Sequence, residues 1–113
     1  MDKDQERFDQ LLRMKRRPSH PGELVADLLE DNPITQEELA RHLGVSRQSV
    51  NYLLSGKRSV TPDMAQRLGK CFGNGPALWL RMQQTLDLWD MLHADASAYS
   101  SVEPLGELAT AMR

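Results

Sequence analysis

Arg47, Gln48, Ser49, Asn51 and Tyr52 lie together in the short run RQSVNY. An arginine fork fits the O6 and N7 acceptors of guanine. The amide of Gln or Asn fits N6 and N7 of adenine, and a serine hydroxyl serves either base. The chemistry these types suit is hydrogen-bonded reading of base edges in a duplex groove, not the making or breaking of bonds. To act together they must share one face of a helix. The spacing allows it, because Val50, Leu53 and Leu54 fall on the opposite side as an apolar stripe. The polar face carries no carboxylate. A merely solvated face normally mixes acids with bases, so a face without acids is a positive sign for a phosphate-bearing partner.

The flanking residues read as a device for holding that helix out. Ser46 is a good N-cap, and Ser55-Gly56 ends the helix that runs from about Ser46 to Leu54. Before it, Thr35 with Glu38 three residues on makes a capping box. Leu39, Ala40 and Leu43 form the inward stripe of that earlier helix, and Gly44 suits the left-handed position that stops it. Two short helices joined by so tight a glycine turn cross steeply, so the second projects while its back packs on the first. Gln36, in the first turn of the earlier helix, can hold a phosphate with its side chain and the free N–H groups beside it. Lys57 and Arg58, just beyond the second helix, are placed to grip the other phosphate strand.

Charge is distributed to match. The chain is net −2 overall, yet residues 41–70 hold six bases (Arg41, Arg47, Lys57, Arg58, Arg67, Lys70) against the single acid Asp63. The local field decides whether a polyanion is attracted. Charge by itself does not distinguish this from solvated surface; the reading rests on charge and motif together.

Further elements complete an all-α plan with no strand. Residues 3–14 form a short helix with Phe8, Leu11 and Leu12 on one face, followed by the basic linker Lys15-Arg16-Arg17-Pro18. His20-Pro21-Gly22-Glu23 opens a helix carrying Leu24, Val25, Leu28 and Leu29, ended by Asn32-Pro33. Thr61-Pro62 starts another, with Met64, Ala65, Leu68 and Phe72 inward and Gly73 as its stop. Gly75-Pro76 opens a long helix from about Ala77 to His93. The tail holds a short helix after Pro104, with Leu105, Leu108, Ala109 and Met112 at helical spacing. The domain plan is an extension over 1–19, a helix-turn-helix domain over 20–93 and a tail over 94–113. Both flanks are candidate partner-binding segments, residues 1–19 the more so.

Trp79, Met82, Leu86 and Trp89 line one face of the long helix, and Leu80, Leu88, Met91 and Leu92 another. A helix packed only on its own domain needs a single stripe. The excess predicts a homodimer interface at Trp79, Met82, Leu86 and Trp89.

Other classes of function find little support. No nucleophile–base pair, phosphate loop or close carboxylate pair has recognisable spacing, so no catalytic residue and no cofactor is assigned. His20, His42 and His93 are far apart and Cys71 has no CxxC partner, so no metal site is expected. Cys71 reads as a small core side chain. A lone cysteine, no secretory signal and no long apolar run point to a cytoplasmic chain with no membrane role.

The segment TQEELARHLGVSRQSVNYLLSGKR resembles the helix-turn-helix of the Cro/C1 or XRE-type repressors. More narrowly, residues 20–93 are similar to the HigA/VapI-type antitoxins. The likeness is carried by the His20-Pro21-Gly22-Glu23 opening, by Thr61-Pro62-Asp63-Met64-Ala65 with Arg67-Leu68, and by Trp79-Leu80 through Gln83 to Asp87-Leu88-Trp89. The resemblance implies a five-helix lambda-repressor-like domain, a homodimer and binding of double-stranded DNA at an inverted-repeat operator. It also implies autorepression of a toxin–antitoxin operon and neutralisation of an RNA-cleaving HigB-type toxin. By position, the family's base-reading sites fall on Arg47, Gln48, Asn51 and Tyr52, and its phosphate sites on Gln36, Ser49, Lys57 and Arg58. Tyr52 departs from the commoner polar residue at its site; it suits stacking on a sugar or contact with a thymine methyl. The alternatives left by the sequence are a solitary regulator of the same family without a toxin, and a protein-interaction module on the same fold.

Overall fold

The computed structural model describes residues 3–111. Among the described residues seven α-helices follow in order: α1 (Lys3–Arg13), α2 (Pro21–Asp31), α3 (Gln36–Leu43), α4 (Arg47–Ser55), α5 (Pro62–Phe72), α6 (Ala77–Leu92) and α7 (Glu107–Ala111), with one 3₁₀ turn at Ser97–Tyr99. No strand occurs among the described residues. The five helices α2 to α6 occupy the stretch expected to form the helix-turn-helix domain.

Local chemistry explains the boundaries. Thr35, Ser46 and Thr61 each accept, through a side-chain oxygen, the N–H of the residue three positions on. Each thereby satisfies one of the donors a helix start leaves unpaired. Gly44 ends α3 at φ 70°, a left-handed conformation that costs other residues dearly, and the chain enters α4 only two residues later.

The core gathers Val25 from α2, Leu39, Ala40 and Leu43 from α3, Val50 and Leu53 from α4, Ala65 and Leu68 from α5, and Trp79 from α6. Burial of this set is the main stabilising term. Trp79 is fully enclosed, its ring centroid 5.7 Å from that of Phe72 and its indole N–H given to Asn74 Oδ1 at 3.1 Å. Gly22 marks where α2 meets α4. A Cβ there would lie 1.8 Å from the Leu53 carbonyl oxygen, so only glycine permits this approach.

Three sequence expectations are corrected. The first concerns α6. Trp79 and Leu86 are buried within their own chain, so they are not a dimer surface. Trp79 belongs to the core, and the neighbouring face of α6 is covered by α1. Leu11 is buried, Arg7 bonds Thr85, and Trp89 gives its N–H to the Met14 carbonyl at 3.0 Å. Met82 and Trp89 are half-buried on the same side. The Met82, Leu86 and Trp89 side of α6 is thus covered in cis by a second helix of the same chain, while Leu80 and Met91 of the other stripe stay exposed. The second correction is Leu12, which is 52% exposed, because α1 rests on its Phe8–Leu11 edge and Leu12 falls outside it. The third is Cys71, which is exposed. The core face of α5 is centred on Ala65, Leu68 and Gly69, and Cys71 lies off that centre. It borders a cleft with His42, Leu43, Arg67 and Lys70. Partial desolvation there raises the thiol pKa, so little reactive thiolate forms.

Beyond α6 the tail shows large apolar side chains to solvent, Tyr99, Val102, Leu105 and Leu108 among them. Met112 lies outside the described residues. No described helix is long and apolar enough to cross a membrane.

Candidate nucleic-acid interface

The back of α4 is fixed by Val50 and Leu53, which are buried against α2 and α3. This packing dictates what the front shows. Arg47, Gln48 and Asn51 are exposed; Ser49 and Tyr52 are half-exposed at the edges of the same ridge. The N-terminus of α4 is capped by Ser46, whose Oγ lies 3.0 Å from both the N and the Oγ of Ser49. The Ser49 hydroxyl therefore has a local partner as well as access to a ligand. Gln36 is exposed in the first turn of α3. The structure thus presents the four base-reading candidates on one helix, with Gln36 on the helix before it and Lys57 and Arg58 just after.

Tyr52 is less free than the sequence suggested. The Arg58 guanidinium carbon sits 4.2 Å from its ring centroid, and Lys57 Nζ is 6.0 Å away. A cation over the ring occupies one aromatic face. Tyr52 and Arg58 therefore form one stacked unit at the end of the α4 ridge. Its remaining assets are the far ring face, the phenol oxygen and the outer N–H groups of the guanidinium.

Not every base in the positive segment is available to a ligand. Arg67 donates from Nη1 to the carbonyls of Leu43 and Gly44 at 2.9 and 3.3 Å, and from Nε to Asp63 at 2.9 Å. It closes the C-terminal carbonyls of α3 and ties α5 to the turn. In the sequence Arg67 counts only as one of the six bases of residues 41–70. The side chain that spans this distance could be found only once α5 was placed against α3.

Two further residues were missed. His20 is buried, accepting the Gly22 N–H at Nδ1 (2.9 Å) while Nε2 lies 2.9 Å from the Arg58 carbonyl. Gln83 is buried on α6, its Oε1 accepting the Val60 N–H at 2.8 Å and its Nε2 donating to Asp87 at 2.9 Å. The available hint was that polar residues rarely sit in an apolar stripe, as Gln83 does, unless they are bonded. Ser59 lies beside the ridge as well: a cleft there is lined by Ser49, Arg58, Ser59 and Thr61 at its polar side and by Leu53 and Met64 at its apolar side. The polar side offers donors whose hydrogen bonds a phosphate oxygen can accept.

Comparison with known proteins agrees with this geometry. The helix-turn-helix family model matches residues 25–80. A curated relative, antitoxin HigA-1 of Vibrio cholerae, is 37% identical over 80% of this chain and 87% of its own length. Among solved structures, an antidote protein of a plasmid maintenance system from Nostoc punctiforme is 48% identical, with a TM-score of 0.70 over 80% of this chain and 99% of that one. The Pseudomonas aeruginosa antitoxin HigA, crystallised with the higBA promoter, is 35% identical, with a TM-score of 0.69 over 79% of this chain and 99% of that one. Likeness of sequence and of backbone, each over about four-fifths of the chain, places it in the HigA family of helix-turn-helix proteins.

Proposed function

We propose that this chain is a sequence-specific DNA-binding repressor that acts as the antitoxin of a HigBA-type pair. It reads an inverted-repeat operator in its own promoter as a homodimer and holds an RNA-cleaving toxin. Its role is binding and not catalysis. The observation that carries the reading is the α4 ridge: Arg47, Gln48 and Asn51 exposed in a row without a carboxylate, with Lys57 and Arg58 immediately beyond. Arg47, Gln48, Asn51 and Tyr52 read base edges; Gln36, Ser49, Lys57 and Arg58 hold phosphates. The Pseudomonas relative solved with promoter DNA supports the same use of this fold. The twofold contact needs a surface other than the one α1 covers. Exposed Leu78, Leu80 and Met91 on α6, together with the apolar tail residues, are what the chain offers.

The test is titration of a duplex covering the chain's own promoter, and of a scrambled duplex, across a salt series. Tighter binding of the promoter is expected, with log affinity falling steeply as log salt rises. Lys57→Ala should weaken both duplexes alike and reduce that slope by about one unit. Equal, salt-independent affinity for the two duplexes would overturn the reading.

A further inference from the structure

We infer that His20 and Gln83 are positioning residues for DNA binding: two buried side chains that hold the loop after the reading helix at two points, the Arg58 carbonyl and the Val60 amide, and so aim Arg58. The inference rests on the DNA-binding reading above.

The loop Lys57–Thr61 has no regular structure of its own, and Lys57, Arg58 and Ser59 are exposed. A cation on such a loop would ordinarily sample many positions and lose entropy on meeting a phosphate. Here the backbone on either side of Ser59 is tied down. The Gly22 amide can only donate, so His20 Nδ1 is the acceptor. The imidazole proton therefore sits on Nε2, and it is donated to the Arg58 carbonyl. Two residues on, the Val60 amide donates to Gln83 Oε1. Both holders are themselves immobilised. The His20 ring lies beside Gly56 at the end of α4, 3.6 Å from where a Cβ there would stand, and Gln83 is hydrogen-bonded to Asp87. Between the two ties, the Arg58 side chain folds back over Tyr52 on the reading ridge. The backbone anchor and the stacked side chain together fix the guanidinium before any DNA arrives.

His20 also caps α2, so the two roles must be separated. His20→Asn does this. An Asn Oδ1 can take the place of Nδ1 as the cap acceptor, but the side chain is too short to reach the Arg58 carbonyl. Gln83→Met removes the acceptor for Val60 at similar length and acts on the loop from α6. In the free full-length protein, NMR should show the Arg58 side-chain protons losing their Tyr52 ring-current shift in His20→Asn. The Val60 amide should lose hydrogen-exchange protection in Gln83→Met. On the promoter duplex, each variant should weaken binding by about five- to tenfold with the wild-type backbone, and by less than about twofold when Arg58 is already Ala. Unchanged Arg58 shifts in His20→Asn with wild-type affinity would overturn the inference. So would an equal loss of affinity with and without Arg58, which is what a general destabilisation gives. If the wild type failed to prefer its promoter, the DNA reading would fall, and the free-protein shifts would still decide whether the loop is clamped.

Discussion

Two faces of this molecule looked unsatisfied in the sequence, the outward ridge of α4 and the broad apolar surface of α6, and they met different fates. The α4 ridge is open to solvent. The Leu86–Trp89 side of α6 is closed by α1, through Leu11 and Arg7, and by Met14 just after it, whereas Leu80 and Met91 stay exposed. The difference follows from the chemistry of each face. An apolar stripe gains by burial against any other stripe within reach, and a flanking amphipathic helix of the same chain competes at a far higher effective concentration than a second molecule. A ridge of Arg, Gln and Asn has no such competitor, because burying it would require a matched partner for every donor and acceptor. A polar face therefore predicts its own exposure, whereas a surplus apolar face does not say how much of it is covered, or by what.

That contrast can be broken or sharpened by mutation. The largest effect belongs to the part of α6 that enters the core. Trp79→Ala should cost about 3–5 kcal/mol of unfolding free energy, measured by denaturant titration, because no neighbour can refill the space. Leu11→Ala tests the cover. It should cost about 2–3 kcal/mol and, by baring the half-buried Met82 and Trp89, raise self-association in sedimentation. If α1 were a loose appendage and this face a dimer seam, the same change would leave stability unaltered. The smallest effect belongs to the ion pair at the end of the cover, Arg17 Nε to Asp90 at 2.8 Å with both side chains about half exposed. Even in its bidentate form, such a screened surface pair is worth less than about 1 kcal/mol. The hydrogen bond from Arg17 holds the Asp90 carboxyl below its ordinary range. A depressed folded-state value means the stabilisation is present above the usual carboxylate range and lost as pH falls through the lowered value. Asp90→Asn should therefore lower the melting temperature slightly near neutral pH and not at all in strong acid.

Much of the fold was legible because its punctuation is local. Thr35, Ser46 and Thr61 announce helix starts through bonds spanning three residues, and Gly44 and Gly73 announce ends through a backbone angle. The exposed ridge of α4 was legible for the same reason, since Val50 and Leu53 on one side dictate Arg47, Gln48 and Asn51 on the other. What was not legible spans distance. Arg67 reaches across to the turn of α3, and His20 and Gln83 meet the loop at Arg58 and Val60. Only the packed arrangement brings those partners together. Cys71 was misplaced for a subtler reason. The inward face of α5 includes Gly69, where a Cβ would lie 2.2 Å from the Gly75 backbone. A face partly built from a missing side chain is shifted from where hydrophobicity alone would put it.

The most direct measurement is the ratio of affinities for promoter and scrambled duplex, in the wild type and in the double variant Arg47→Ala, Gln48→Ala. Each lost bidentate base contact should remove about 1–3 kcal/mol of discrimination. The ratio should therefore collapse toward one, while the melting temperature and the non-specific affinity stay near wild type, because both side chains are exposed. A double variant that kept its preference for the promoter would show that another surface reads the sequence.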